Sequence, residues 1–221
     1  MNLARLSKAD IVKMAKWKCP LNGHSKHNGL EHPKCFNKLA HINERIGILD
    51  VECSGLVADF GILLTWCIKE YGKSDIYNDL INEKDLRGDL DKRITKSLAL
   101  EIQNYDTIIT YYGTKFDLSF IRSRCLYHNL DFSPYGSIKH IDVYYMVKSK
   151  LRLSRNRLET ACRLLGIKGK THLDGRYWVK ALTGDKKAIN YILTHNKADV
   201  IILEKLYDRI KDYTKGTNRS I

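Results

Sequence analysis

The stretch RIGILDVECSGL, residues 45–56, constrains the fold more than any other part of this chain. Ile46-Gly47-Ile48-Leu49 reads as a buried strand, and it delivers two carboxylates, Asp50 and Glu52. Side chains two apart on a strand share a face, so these acids project side by side while Val51 and Cys53 point the other way. Adjacent carboxylates repel and raise each other's pKa unless a cation lies between them. Oxygen donors suit a hard divalent ion, which makes the pair a Mg²⁺ or Mn²⁺ site in outline. Taken alone, the pattern D-x-E fits an edge strand with two solvated acids equally well. The acids further along the chain have to decide.

Phe60–Ile68 reads as a second strand, expected to hairpin with the first, and a short third strand is expected around Ser74–Tyr77. Leu90–Asn104 has apolar residues near a four-residue spacing and predicts a helix. Asp106–Tyr111 is a β-branched strand that runs through Tyr112-Gly113-Thr114-Lys115-Phe116 to Asp117 at the mouth of an apolar helix. Ligands collect beyond the C-terminal strand ends of open α/β sheets, although an acid there also suits the helix dipole. Ile138–Asp142 reads as a further strand end. Residues 144–150 and 157–165 look helical, and Lys186–Asp212 predicts a long helix on which His195 and Asp199 lie one turn apart on one face. The tail from Thr214 is polar. Strands alternating with helices predict an α/β fold.

Between Cys19 and Cys35 the sequence CPLNGHSKHNGLEHPKC is polar and broken by proline and glycine. Such a loop has little core of its own, and bound metal can supply the missing folding energy. Cysteine and histidine together favour tetrahedral zinc. The expected ligands are Cys19, His24, His32 and Cys35, with His27 as the spare. A His-rich loop with two free thiols is the alternative.

Net charge is +13, from 38 Lys and Arg against 25 Asp and Glu, which predicts an anionic partner, nucleic acid first. The basic residues crowd between Lys148 and Arg176, in KSKLRLSRNR and KGKTHLDGR. No apolar run reaches membrane-spanning length and no signal-type segment opens the chain, so the expected compartment is cytoplasmic, with no membrane partner. The scattered cysteines Cys53, Cys67, Cys125 and Cys162 read as reduced core residues.

Set in order, LDVECSGL, TYYGTKFDLSFIRSR, HIDVYYM, a basic stretch and HNKADVIIL resemble the DEDD exonuclease superfamily, most of all its predicted microbial and phage nucleases. The resemblance covers about residues 45–212. It implies an RNase H-like mixed β-sheet flanked by helices, with the zinc-knuckle-like segment as an N-terminal extension. The implied division is 1–44 for the extension, 45–213 for the nuclease domain and 214–221 for a flexible tail. It further implies that Asp50, Glu52, Asp117 and Asp199 hold two Mg²⁺ or Mn²⁺ ions for 3′→5′ hydrolysis of phosphodiester bonds, single-stranded DNA being favoured. His195 stands where one branch of the superfamily has tyrosine, and an imidazole there can orient or deprotonate water; Tyr191 competes for that role. Asp142 reads as an outer acid. Tyr112, Lys115 and Phe116 can line the strand path, and Lys148, Lys150, Arg152, Arg155 and Arg157 can neutralise phosphates. Three alternatives remain open: an endonuclease, an RNase on the same fold, or a binding module without catalysis.

Overall fold

The structure, a computed structural model, describes residues 8–20, 27–33, 35–36, 44–134, 136–169, 174–214 and 219–220. The chain divides into two compact units, 1–45 and 46–221.

In the first unit, helix α1 (Lys8–Lys16) is followed by a bridge between Lys18 and Asn28. Its described apolar core is small: Met14, Cys19 and Phe36 are buried, and the edge of the Trp17 ring meets Phe36. Gly29 is required where it stands, because a Cβ would come within 2.8 Å of the Phe36 ring.

The second unit is a mixed sheet between two helical layers. Its strands are β1 (Ile46–Cys53), β2 (Leu63–Glu70), β3 (Ile76–Leu80), β4 (Thr107–Thr110), β5 (Lys139–Asp142) and β6 (Arg219–Ser220), in the order β3-β2-β1-β4-β5-β6. β1 runs antiparallel to β2 and parallel to β4, and β4 runs parallel to β5. β2 starts three residues later than the sequence predicts. Gly61 closes a turn onto Val57, leaving Phe60 at a solvent-exposed tip. Similarly, β3 begins at Ile76 rather than Ser74. The stretch expected to be a tail contributes β6, which pairs antiparallel with β5.

The helices are α2 (Glu83–Arg87), α3 (Lys92–Ile102), α4 (Asp117–Tyr127), α5 (Val143–Lys150), α6 (Leu158–Leu164), α7 (Arg176–Ala181) and α8 (Lys186–Ile210). The pleat of β1 divides the core. Leu49 and Val51 face a layer with Ile94, Leu98, Leu118 and Ile121 from α3 and α4. Ile48 faces the opposite layer, with Val147 of α5, Ala161 of α6 and Leu193, Val200 and Leu203 of α8. Gly47 sits where a Cβ would come within 2.8 Å of Ile68 and 2.9 Å of Tyr105, so glycine lets that ring close over β1.

Candidate active site

The alternation of β1 that sends Leu49 and Val51 into one core sends Asp50 and Glu52 to the face that α8 covers. Both acids lie within the strand, opposite Cys67 and Thr65 of β2, rather than beyond its end. α8 is positioned by its apolar stripe and capped by Asp185, which accepts from the Lys187 and Ala188 N–H groups at 2.8 and 3.0 Å. One face of this helix carries His195, Asn196 and Asp199, all buried. Donor atoms of Glu52, His195 and Asp199 gather within 4.8 Å of one another. His195 Nε2 lies 3.6 Å from Asp199 Oδ2. Asn196 Nδ2 donates to Asp50 Oδ2 at 2.6 Å, tying the helix to the strand.

Asp117, the first residue of α4, reaches the same place from beyond the turn that follows β4. Its buried carboxylate accepts the Val51 N–H at 3.3 Å, between the two acids of β1. The loop leading to it is held from β5. Asp142 accepts the N–H groups of Tyr112 (2.8 Å), Thr114 (3.0 Å) and Tyr144 (3.1 Å), so it caps α5 and shapes the turn before Asp117 at once. Tyr112 occupies the left-handed region at φ 68°, a conformation that costs a non-glycine residue on the order of 1–3 kcal/mol and needs such anchoring. Gly113 follows because any Cβ there would run into the Thr110 side chain.

Electrostatics register the crowding. Burial, then the charges of Asp199, Asp117 and Glu52, push the Asp50 carboxyl well above the usual range, with the Asn196 amide opposing. Burial pushes Asp117 up to about 7, against the pull of its own and the Val51 backbone N–H groups, and the Asp142 charge adds to the rise. Acids held this close together oppose their own ionisation, and a divalent cation relieves that opposition. Four carboxylates form a hard oxygen donor set that fits Mg²⁺ or Mn²⁺. Asn196 Oδ1, buried without a hydrogen-bond partner, adds one more oxygen.

The remaining expected residues fall into three groups. Tyr191 stacks on Tyr177 at 3.9 Å and its hydroxyl accepts the Asp174 N–H at 3.3 Å, whereas His195 joins the acids. Lys115 and Phe116 line a shallow cleft with Leu56, Ala58, Ser119, Phe120 and Ser123; Tyr112 is exposed, with its ring against Tyr144. Lys148, Lys150, Arg152, Arg155 and Arg157 are all exposed, on the end of α5 and the loop after it. That loop is pinned by the Tyr111 hydroxyl, which donates to the Asn156 carbonyl at 2.9 Å. In the N-terminal segment, donor atoms of Cys19, His27 and Cys35 come within 4.8 Å of one another and His32 Nδ1 lies 3.0 Å from Cys35 Sγ. The expected ligand His24 lies outside the described residues. Asn196 escaped the sequence reading; its signal was its position three residues before Asp199, on the same helical face.

A family model described as the RNase H superfamily matches residues 48–211, the span from β1 through α8 that holds all four acids. A comparison with curated proteins finds no match. Among solved structures, the family B DNA polymerase from the hyperthermophilic archaeon Pyrobaculum calidifontis superposes with a TM-score of 0.63 at 13% identity, over 77% of this chain and 25% of the polymerase. At that identity the likeness is one of fold, and the chain corresponds to about a quarter of the polymerase's length.

Proposed function

Since the chain belongs to the RNase H superfamily, we propose that it is a metal-dependent nuclease that removes nucleotides from the 3′ end of single-stranded DNA. The convergence of Asp50 and Glu52 from one strand with Asp117 and Asp199 from two helices carries this reading. The four carboxylates would hold two Mg²⁺ or Mn²⁺ ions. When bound, such ions supply a water of lowered pKa and stabilise the charge on the attacking and leaving oxygens of a phosphodiester.

The chain's own residues do the rest. His195 sits against Asp199 within reach of Glu52, where an imidazole can hold the attacking water and take its proton. Asn196 fixes the Asp50 carboxylate so that its position does not depend on substrate. Asp142 acts one step back by holding the loop that places Asp117. The cleft offers Phe116 and Leu56 to bases and Lys115 to phosphate, and the exposed cations from Lys148 to Arg157 offer further partners for phosphate. The 3′→5′ direction rests on the DEDD resemblance of the four motifs, and single-stranded DNA is the leading substrate for the basic stretch to hold.

The test uses linear and circular single-stranded DNA and a matching RNA, each linear strand labelled at its 5′ end, with Mg²⁺, Mn²⁺ or EDTA. Laddering of the linear DNA alone, with the label kept on shortening products, is expected. Asp50→Asn and Asp199→Asn should each lower the rate by at least about a hundredfold, since an acid of a metal clamp is worth several kcal/mol. Cutting of the circle would replace the exonuclease reading with an endonuclease one. Undiminished cleavage in both variants would refute the assigned site.

A further inference from the structure

We infer that the N-terminal unit is built around a structural zinc ion held by Cys19, His27, His32 and Cys35, so that His27, not His24, completes the set. This does not depend on the nuclease reading, because the family match begins at residue 48.

Three observations carry it. First, the donor atoms are gathered. Those of Cys19, His27 and Cys35 lie within 4.8 Å of one another, His32 Nδ1 is 3.0 Å from Cys35 Sγ, and the His27 and His32 rings are 4.7 Å apart. Zinc bonds of about 2.3 Å to sulfur and 2.0–2.1 Å to nitrogen place tetrahedral donors roughly 3.3–3.8 Å from each other, the same scale.

Second, the backbone presents the ligands in two pairs. Lys18 bridges Asn28 and the Cys19 N–H donates to the His27 carbonyl at 3.4 Å, so the first pair sits on adjoining extended segments. Asn28 Oδ1 then accepts from Leu30 and Glu31 at 2.9 and 3.0 Å, and Glu31 Oε2 accepts the Asn28 N–H at 2.7 Å. This reciprocal turn starts the helical turn in which the Cys35 N–H donates to the His32 carbonyl at 3.1 Å, and it sets the second pair three residues apart on one side.

Third, the described core of this unit has only Met14, Cys19 and Phe36. A unit spanning only Met1–Arg45 is near the size at which a metal or a cross-link usually supplements the core. No disulfide joins Cys19 to Cys35, and two sulfurs with two imidazoles select zinc over the hard ions suited to the acidic site. Four protein ligands leave no open position, so the ion serves structure rather than chemistry.

The test is metal analysis of the full-length chain, purified from zinc-supplemented cells and dialysed against a weak chelator. About one zinc per chain is expected. His27→Ala and Cys35→Ser should each lose it, whereas His24→Ala keeps it; losing a direct ligand should weaken zinc by more than the 10–100-fold typical of outer-shell changes. His27→Cys, a ligand swap, should restore stoichiometry. With Co²⁺ in place of zinc, wild-type protein should show thiolate-to-metal absorption that Cys19→Ser diminishes. Zinc-free wild-type protein, or loss of zinc from His24→Ala with retention in His27→Ala, would overturn the assignment. A Cys19–Cys35 disulfide found by mass analysis would do so as well.

Discussion

Asp117 shows how much the site costs the fold. Burial carries its carboxyl from 3.8 to about 7, equivalent to as much as about 4 kcal/mol against the charged form. The sign follows from proton counting. Between about pH 4 and 7 the folded chain keeps a proton on Asp117 that the unfolded chain has released, so stability falls as pH rises through that window and the penalty is complete above it. In EDTA at pH 8, Asp117→Asn should therefore raise the melting midpoint while abolishing turnover, since an amide still accepts the Val51 N–H without bearing charge. Mg²⁺ or Mn²⁺ should stabilise wild-type protein more at pH 8 than at pH 5, and hardly stabilise the variant. Calorimetry at the two pH values checks both; a variant that melts lower than wild type in EDTA at pH 8 would contradict the account. The placement of Asp117 was legible in the sequence, because a β-branched strand and a glycine-containing turn lead to it at the start of an apolar helix. Asp142's backbone contacts were not legible, because nothing local shows that a carboxylate on β5 reaches across to the turn after β4.

At the scale of elements, a buried ion pair ties together α3, α4 and the loop between β1 and β2, on the layer opposite α8. Asp91, fully buried before α3, is held by the Arg124 guanidinium of α4 through Nε at 2.9 Å and Nη2 at 2.5 Å, by His128 at 2.8 Å and by the Leu63 N–H at 2.7 Å. Arg124 also donates to the Ala58 carbonyl at 3.0 Å, which fastens the loop between β1 and β2. Burial pushes the Asp91 carboxyl up, but Arg124, the Leu63 N–H and His128 outweigh it and hold it below the usual range. The pairing thus stabilises the fold above the ordinary carboxylate pKa, and the gain disappears as pH falls through the lowered one. Arg124→Met should cost about 3–5 kcal/mol near pH 7, because it leaves a buried charge uncompensated, and less near pH 3 as that charge is neutralised. Urea unfolding at the two pH values measures this, and a loss below about 1 kcal/mol at pH 7 would show the pair to be dispensable. Sequence patterns give no hint of such a pair, whose members lie 33 residues apart. Periodicity found the long elements, α3, α4 and α8, within a few residues of their ends. It missed α2 and α7, which are too short to show a period, although Asn82 and Asp85 spell out a capping box for α2.

At the scale of the second unit, four acids gather at the candidate site while the basic stretch from Lys148 to Arg157 stands exposed. The acids are drawn together by β1, α4 and α8, whereas the cations from Lys148 to Arg157 stay in solvent on α5 and its following loop. In the proposed function the second set holds a polyanion that the first set cleaves, so binding and cleavage should separate under mutation. Binding should also depend steeply on salt, with log Kobs falling by about 0.7 per phosphate neutralised on a single strand, roughly 3.5 if five cations engage. Replacing Arg155 and Arg157 by Gln should reduce that slope by about 1.4. Fluorescence anisotropy with a labelled oligonucleotide, using Asp50→Asn protein to prevent cleavage, gives the slope directly. An unchanged slope in the double variant would move the binding surface elsewhere, to the cleft at Lys115 and Phe116, where stacking on aromatic side chains is far less sensitive to salt than phosphate contacts are.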